Sequence, residues 1–204
     1  MTARPPHDAH FLTQLRESGV VIAALAEHLD TIAAIAARLS ACLAAGGTIY
    51  LCGNGGSAAD AQHVAAEFVG RFLRERQPLP AIALTCNTSL LTAIANDYDF
   101  TQVFARQVRA HAGPKDCVVG ISTSGRSRNV LEALTAARDV GAATVGMTGA
   151  DGHELAAACD ECLLVPSSST PRIQEAHLVA WHLICDHVER MLPATTPGTR
   201  EGRS

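Results

Sequence analysis

Five short apolar runs, each followed by a segment with helical spacing, constrain the fold of this chain more than any other feature. They are "TIYLC" (48–52), "AIALT" (81–85), "DCVVGIS" (116–122), "ATVGMT" (143–148) and "ECLLVP" (161–166). None alternates apolar with polar residues, as a strand with one wet face does. Each is therefore expected to be covered on both sides, which is the condition of a parallel strand. Helices are expected at "SAADAQHVAAEFVGRFL" (57–73), "SLLTAIAND" (89–97), "TQVFARQVRAHA" (101–112), after "SGRS", near 153–158, and at "TPRIQEAHLVAWHLICDHVERML" (170–192). Strand–helix alternation of this kind specifies an α/β domain: a five-stranded parallel sheet flanked by helices and doubly wound through right-handed crossovers.

Ahead of the sheet, residues 8–45 are rich in Ala, Leu and Ile at helical spacing, with Asp30-Thr31 read as a break or cap between two helices and "AAGG" as the stop of the second. The reading divides the chain into N-terminal helices (1–45), a sheet domain (46–192) and a disordered tail (193–204) rich in Pro, Thr, Gly and Arg. Aromatic residues make up only 4%, so the core must be built from Ala, Val, Leu and Ile. A net charge of −4 offers no basic field for nucleic acid. The N-terminus lacks the apolar region of a signal peptide, and no membrane span is expected; the reading is a cytoplasmic chain. The seven cysteines are scattered through apolar runs and form no disulfide framework. Cys159 and Cys162 make a lone C-x-x-C, read as packing rather than as a metal or redox site.

Ligands of open α/β sheets bind beyond the carboxyl ends of the strands, where helix N-termini present free N–H groups. "GNGGSAADAQHVAAE" (53–67) stands at such a place. Gly53, Gly55 and Ala58 match the G-x-G-x-x-A dinucleotide pattern. That pattern needs an acidic residue at the end of the second strand to hold the ribose, and the strand here ends Thr85-Cys86-Asn87. Ser57 with Asp60 reads as a capping box, which leaves Asn54 and the double glycine unexplained. One βα unit later, Ser122, Thr123, Ser124 and Ser127 supply hydroxyls around Gly125 at a second strand-to-helix turn. The two loops together make a cradle of neutral donors for a phosphomonoester. Arg126 either adds charge or points to solvent.

At this point "CGNGGSAADAQHVAAEFVGRF", "AIANDYDF", "GISTSGRS" and "PRIQEAHLVAWHL" resemble, in order and spacing, the sugar isomerase (SIS) domain of the phosphoheptose isomerase family. The resemblance implies a flavodoxin-like three-layer sandwich, a homotetramer with active sites at subunit interfaces, and one zinc ion per subunit. It implies interconversion of sedoheptulose 7-phosphate and D-glycero-D-manno-heptose 7-phosphate, the entry to nucleotide-activated heptoses. Carried onto matching positions, it gives Ser57, Ser122, Thr123, Ser124 and Ser127 to the phosphate. Asn54, Gly55, Gly56, Asn96 and Asp97 go to the sugar. His63, Glu67, Gln174 and His182 go to the metal, with Glu67 and His182 also as base and acid, and with Glu67 and Gln174 also touching substrate.

The chemistry is consistent with the first pair. Aldose–ketose isomerisation needs a base for a carbon-bound proton and an acid or metal at the developing oxyanion. His63 and Glu67, one turn apart on a largely apolar helix, share a face. Gln174 and His182 lie eight residues apart, about 12 Å of helix, and only the resemblance joins them. Two other readings stand beside this one. Some SIS proteins bind a replication initiator and catalyse nothing, but Ser124 and His182 keep the catalytic form here. Pro171 and Arg126, at positions that often differ in relatives, leave open an isomerase of another sugar phosphate.

Overall fold

The computed structural model describes residues 7–192; the expected disordered tail, from 193 on, lies outside them. Its elements are α1 (His7–Ala24), a 3-10 turn (Leu25–His28), α2 (Leu29–Ala44), β1 (Ile49–Gly53), α3 (Gly56–Val69), β2 (Ala81–Ala83) and α4 (Thr88–Asp97). They continue as α5 (Gln102–His111), β3 (Cys117–Ile121), α6 (Arg128–Asp139), β4 (Ala143–Gly149), α7 (His153–Ala157), β5 (Glu161–Val165) and α8 (Thr170–Met191). The five strands form one sheet in the order β2-β1-β3-β4-β5, and every pairing is parallel. This is the flavodoxin-like order, in which the winding direction reverses between β1 and β3.

Strand residues alternate between two cores. Ile49, Leu51, Val119, Ile121, Val145 and Met147 pack with α2, α3 and α8, around the wholly buried Trp181. Tyr50, Cys52 and Val118 pack on the other face with α4, α5, α6 and α7. Burial on both faces explains why the strands read as unbroken apolar runs. β2 is shorter than its sequence run because it is the outer strand and turns at Leu84 into the loop before α4, whose N-cap Asn87 accepts from the Leu90 N–H.

Three local expectations are corrected. The break between the first helices falls at Leu25–His28, ahead of Asp30-Thr31, and α2 begins without a side-chain cap. The helix expected over 57–73 stops at Val69; Gly70 ends it, and the chain then runs irregularly to β2. Finally, the stretch Ala9–Ala44 is helical and apolar enough by composition to cross a membrane, against the expectation of no such run. It is a helix pair rather than one rod, and the inner helix buries Ile35, Ala36 and Leu39 completely against the sheet.

His177 on α8 is fully buried and its Nε2–H donates to the Thr148 carbonyl at 3.2 Å. Burial pulls its pKa down from 6.5 to about 4, with the Thr148 bond opposing. Between those values the unfolded chain binds more protons than the folded one. Stability present above pH 6.5 is therefore lost as pH falls toward 4, by up to about 3 kcal/mol. Melting curves across that window should show a steep acid loss in the parent protein and a shallower one in His177→Gln. Equal slopes would sink the assignment.

Candidate active site

β1 and β3 are neighbours, and their last residues, Gly53 and Ile121, are partners in register. The two loops that follow thus leave the sheet side by side, about 4.8 Å apart, at the point where the winding reverses. In the first loop Gly55 takes φ +57, a conformation costly for any residue with a Cβ. Its carbonyl accepts the Ala58 and Ala59 N–H groups, starting α3. A Cβ at Gly56 would lie 2.3 Å from the Gln174 amide nitrogen, so a side chain there would push the Gln174 amide away. The double glycine thus sets a turn and lets α8 press its Gln174 amide onto the start of α3. The expected capping box is absent: the N-cap of α3 is Gly55, without a side-chain bond, and Ser57 lies inside the helix, almost wholly buried.

The second loop closes on itself. Ser122 Oγ and Ser127 Oγ lie 2.9 Å apart, Gly125 N–H returns to Ser122 O at 3.0 Å, and Ser124 Oγ accepts from the Arg126 N–H at 3.3 Å. Gly125, at φ +66, packs against Gly152, where a Cβ would meet backbone at 2.4 Å. Thr123 gives its carbonyl to the Gly149 N–H. Ser127 is the N-cap of α6, but its hydroxyl contacts Ser122 and makes no cap hydrogen bond. Arg126 is exposed.

Farther along α3 the expected pair is in place. His63 Nε2 lies 3.4 Å from Glu67 Oε1 and 3.4 Å from His182 Nε2, so the imidazole of α3 touches both the carboxylate one turn on and the imidazole of α8. Phe72, beyond the end of α3, stacks on the His182 ring at 5.3 Å between centroids. His63 is the most open of the contacting pair on α3, with 44% of its side chain exposed against 22% for Glu67. Two imidazoles and a carboxylate are a donor set that suits catalytic zinc. They run in a chain with His63 in the middle, and among the described residues no group of three or more His, Cys, Asp and Glu is gathered into a closed metal-holding cluster.

Helices α3 and α8 run in the same direction: Gln174 meets Gly56, His182 meets His63, and Glu189 meets Phe72. Gln174 is therefore two turns from the trio, at the loop end of the helix pair. Asn96 and Asp97 stand at the exposed end of α4, where Asn96 Nδ2 donates to Asp97 Oδ1 at 2.8 Å, and among the described residues no hydrogen bond joins them to either loop. Asp60, read from sequence as a capping acid, caps nothing; one of its oxygens is buried without a partner, and burial raises its pKa while nearby His63 lowers it. Pro171 occupies the first turn of α8, as sequence suggests.

Cys159 and Cys162 pack against the core on the face of the sheet covered by α4, α5, α6 and α7. Both sulfurs point at Gly146 of β4, each 2.7 Å from where its Cβ would be. A hydrogen bond with Cys162, and then burial, push the Cys159 thiol up, which keeps it protonated and inert.

Sequence reasoning passed over three groups. Asn129, on the first turn of α6, pairs with Asn54. Phe72 supports His182. Glu189 accepts N–H bonds from Phe72, Leu73 and Arg74 at 2.8, 2.9 and 2.9 Å and a fourth from Arg76 Nε at 2.9 Å. The only sequence signal for Asn129 and Glu189 is a polar residue on a helix face that is otherwise apolar.

Comparison with known proteins places these features. The SIS domain family model matches residues 13–149. A phosphoheptose isomerase of a Roseiflexus species is 60% identical over 161 residues, covering 79% of this chain and 82% of that protein. The solved structure of a phosphoheptose isomerase from Neisseria gonorrhoeae superposes with a TM-score of 0.80 at 44% identity, over 90% of this chain and 96% of that one. Another from Francisella tularensis gives 0.82 at 36% identity, over 93% and 100%. The chain belongs to the SIS-domain phosphoheptose isomerase family.

Proposed function

We propose that this chain is an aldose–ketose isomerase that interconverts sedoheptulose 7-phosphate and D-glycero-D-manno-heptose 7-phosphate in the cytoplasm, as the first step toward nucleotide-activated heptoses. The observation that carries this reading is the spacing of two devices on α3. The helix starts between two donor-rich loops, and His63, in contact with Glu67 and His182, stands six residues beyond Ser57, about 9 Å along the axis. Such a span suits a ligand whose phosphate and reacting carbons are at opposite ends of a long sugar chain.

In this reading Ser57, Ser122, Thr123, Ser124 and Ser127 hold the phosphate. Asn54, Gly55, Gly56, Asn96 and Asp97 hold the sugar. Glu67 takes the proton from one of the two reacting carbons and returns it to the other through an enediol, while His182 gives and recovers the proton on oxygen. His63, Glu67 and His182 would hold a zinc ion, one per subunit, with Gln174 as the further ligand named by the resemblance. When bound, the ion supplies a Lewis acid for charge developing on the substrate oxygens. The chain would work as a homotetramer. The exposed apolar side chains Phe11, Leu12, Leu15 and Val20 on α1, beside a cavity of about 570 Å³ against the start of α8, support contacts between copies there.

The test is a direct assay with zinc added, together with a melting-temperature screen of sugar phosphates. Turnover of sedoheptulose 7-phosphate is expected, and that ligand should raise the melting temperature. Turnover of a different ketose phosphate instead would overturn the heptose assignment. A screen in which no sugar phosphate raises the melting temperature would leave a non-catalytic SIS protein.

A further inference from the structure

Two side-chain amides link the loops that form the crevice. Asn54, in the loop after β1, donates from Nδ2 to Asn129 Oδ1 at 2.8 Å, and Asn129 Nδ2 donates back to Asn54 Oδ1 at 2.8 Å. Asn129 is only 3% exposed and sits on the first turn of α6, just after the serine loop that follows β3. The two residues are 75 positions apart in the chain. The first loop is otherwise held by Ser57 N–H to Asn54 O, and the second by the Ser122–Ser127 hydroxyl contact and, on the β4 side, by Gly149 N–H to Thr123 O. Without the amide pair, the sheet register of Gly53 and Ile121 would align only the roots of the loops, not their tips.

We infer that the Asn54–Asn129 amide pair is a latch that fixes the two ligand loops relative to each other, and that Asn129 is a positioning residue for phosphate binding although it lies behind the phosphate-binding side chains. A primary amide has two N–H donors and two acceptor lone pairs, and the pair uses one of each on either residue. Asn54 therefore retains an N–H for a ligand while its orientation is set by Asn129. Buried reciprocal bonds of this kind hold because breaking one leaves the other partner's polar atoms unsatisfied. The latch contributes to affinity by removing the cost of bringing two loops together when the ligand arrives.

This inference rests on the crevice being the phosphate site, so the test separates the two. Inorganic phosphate binding is measured by calorimetry, and sedoheptulose 7-phosphate turnover by assay, in parent, Asn54→Ala, Asn129→Ala, the double variant and the near-isosteric Asn129→Asp. Asn129→Ala should weaken phosphate binding and raise KM about ten-fold while kcat stays within about two-fold. Asn129→Asp keeps an acceptor for Asn54 but cannot return the second bond, and its negative charge also opposes phosphate, so its loss should be at least as large. If Asn129→Ala does not fold, Asn129→Asp against Asn54→Ala still decides the matter. The double variant should bind about as poorly as the worse single one, because both remove the same link.

Additive losses, or an Asn129 variant that melts early yet binds phosphate normally, would overturn the latch. A parent protein that shows these phosphate effects but turns over no heptose phosphate would keep the latch and refute the proposed substrate.

Discussion

Glu67→Gln should lower turnover by about two to four orders of magnitude while the protein stays folded. The substitution keeps the shape of the side chain and its place on α3 but removes its charge, and with it the ability to accept a proton from carbon. Glu67 is partly open, with 22% of its side chain exposed, so the exchange buries no new unsatisfied charge and the melting temperature should hardly move. KM should change less than kcat, since the phosphate donors on the two loops are untouched. Glu67 is also proposed as a metal ligand, so zinc content has to be measured alongside. If the variant keeps its zinc and still loses activity, the proton role stands on its own. A variant retaining more than a tenth of the parent rate would place the base elsewhere.

The helix that carries Glu67 shows how much of this molecule was legible beforehand. Apolar runs with no alternation read correctly as strands covered on both faces, because in a parallel sheet every strand residue meets a helix layer. The i,i+4 relation of His63 and Glu67 needs only helix geometry, and their shared face followed from it. What could not be read was anything set by contact between distant segments. Asn54 and Asn129 pair because β1 and β3 lie side by side, and nothing local marks Asn129 as more than a polar residue in the first turn of a helix. The capping box failed for a local reason. Ser57 and Asp60 have the right spacing, yet the helix begins one residue before Ser57, where Gly55 can take the positive φ that the turn requires. The stop at Val69 was missed because Arg71 to Leu73 continue a helical pattern, while the chain is in fact drawn off the helix by Glu189, more than a hundred residues away.

That carboxylate is where the largest stability effect is expected. Glu189→Ala should cost about 3–5 kcal/mol, which for a chain of this size lowers the melting temperature by roughly 6–20 °C. Glu189 and Arg76 are almost wholly buried, with 1% and 6% of their side chains exposed. Burial alone would raise the Glu189 pKa. The N–H groups of Leu73, Phe72 and Arg74, and then the Arg76 guanidinium, more than offset it and hold the carboxyl below its usual range. Stability from this group is therefore present above the ordinary carboxylate pKa and is lost as pH falls through the lowered one. Removing the carboxylate leaves three backbone N–H groups and the Arg76 Nε–H without an acceptor, and the buried guanidinium without its counter-charge.

Glu189→Gln should fall between parent and alanine, since it still accepts but has no charge for Arg76. A Glu189→Ala protein that melts with the parent would show that the pair holds nothing. The expected damage also reaches the active site. Arg76 donates to the Glu67 and Phe68 carbonyls at 2.8 Å each, fixing the last turn of α3, and Phe72, held by Glu189, stacks on His182. One buried ion pair thus restrains the helix end that carries the proposed base and the ring that supports the proposed acid. Turnover in Glu189→Gln should accordingly fall even at temperatures where the variant is fully folded.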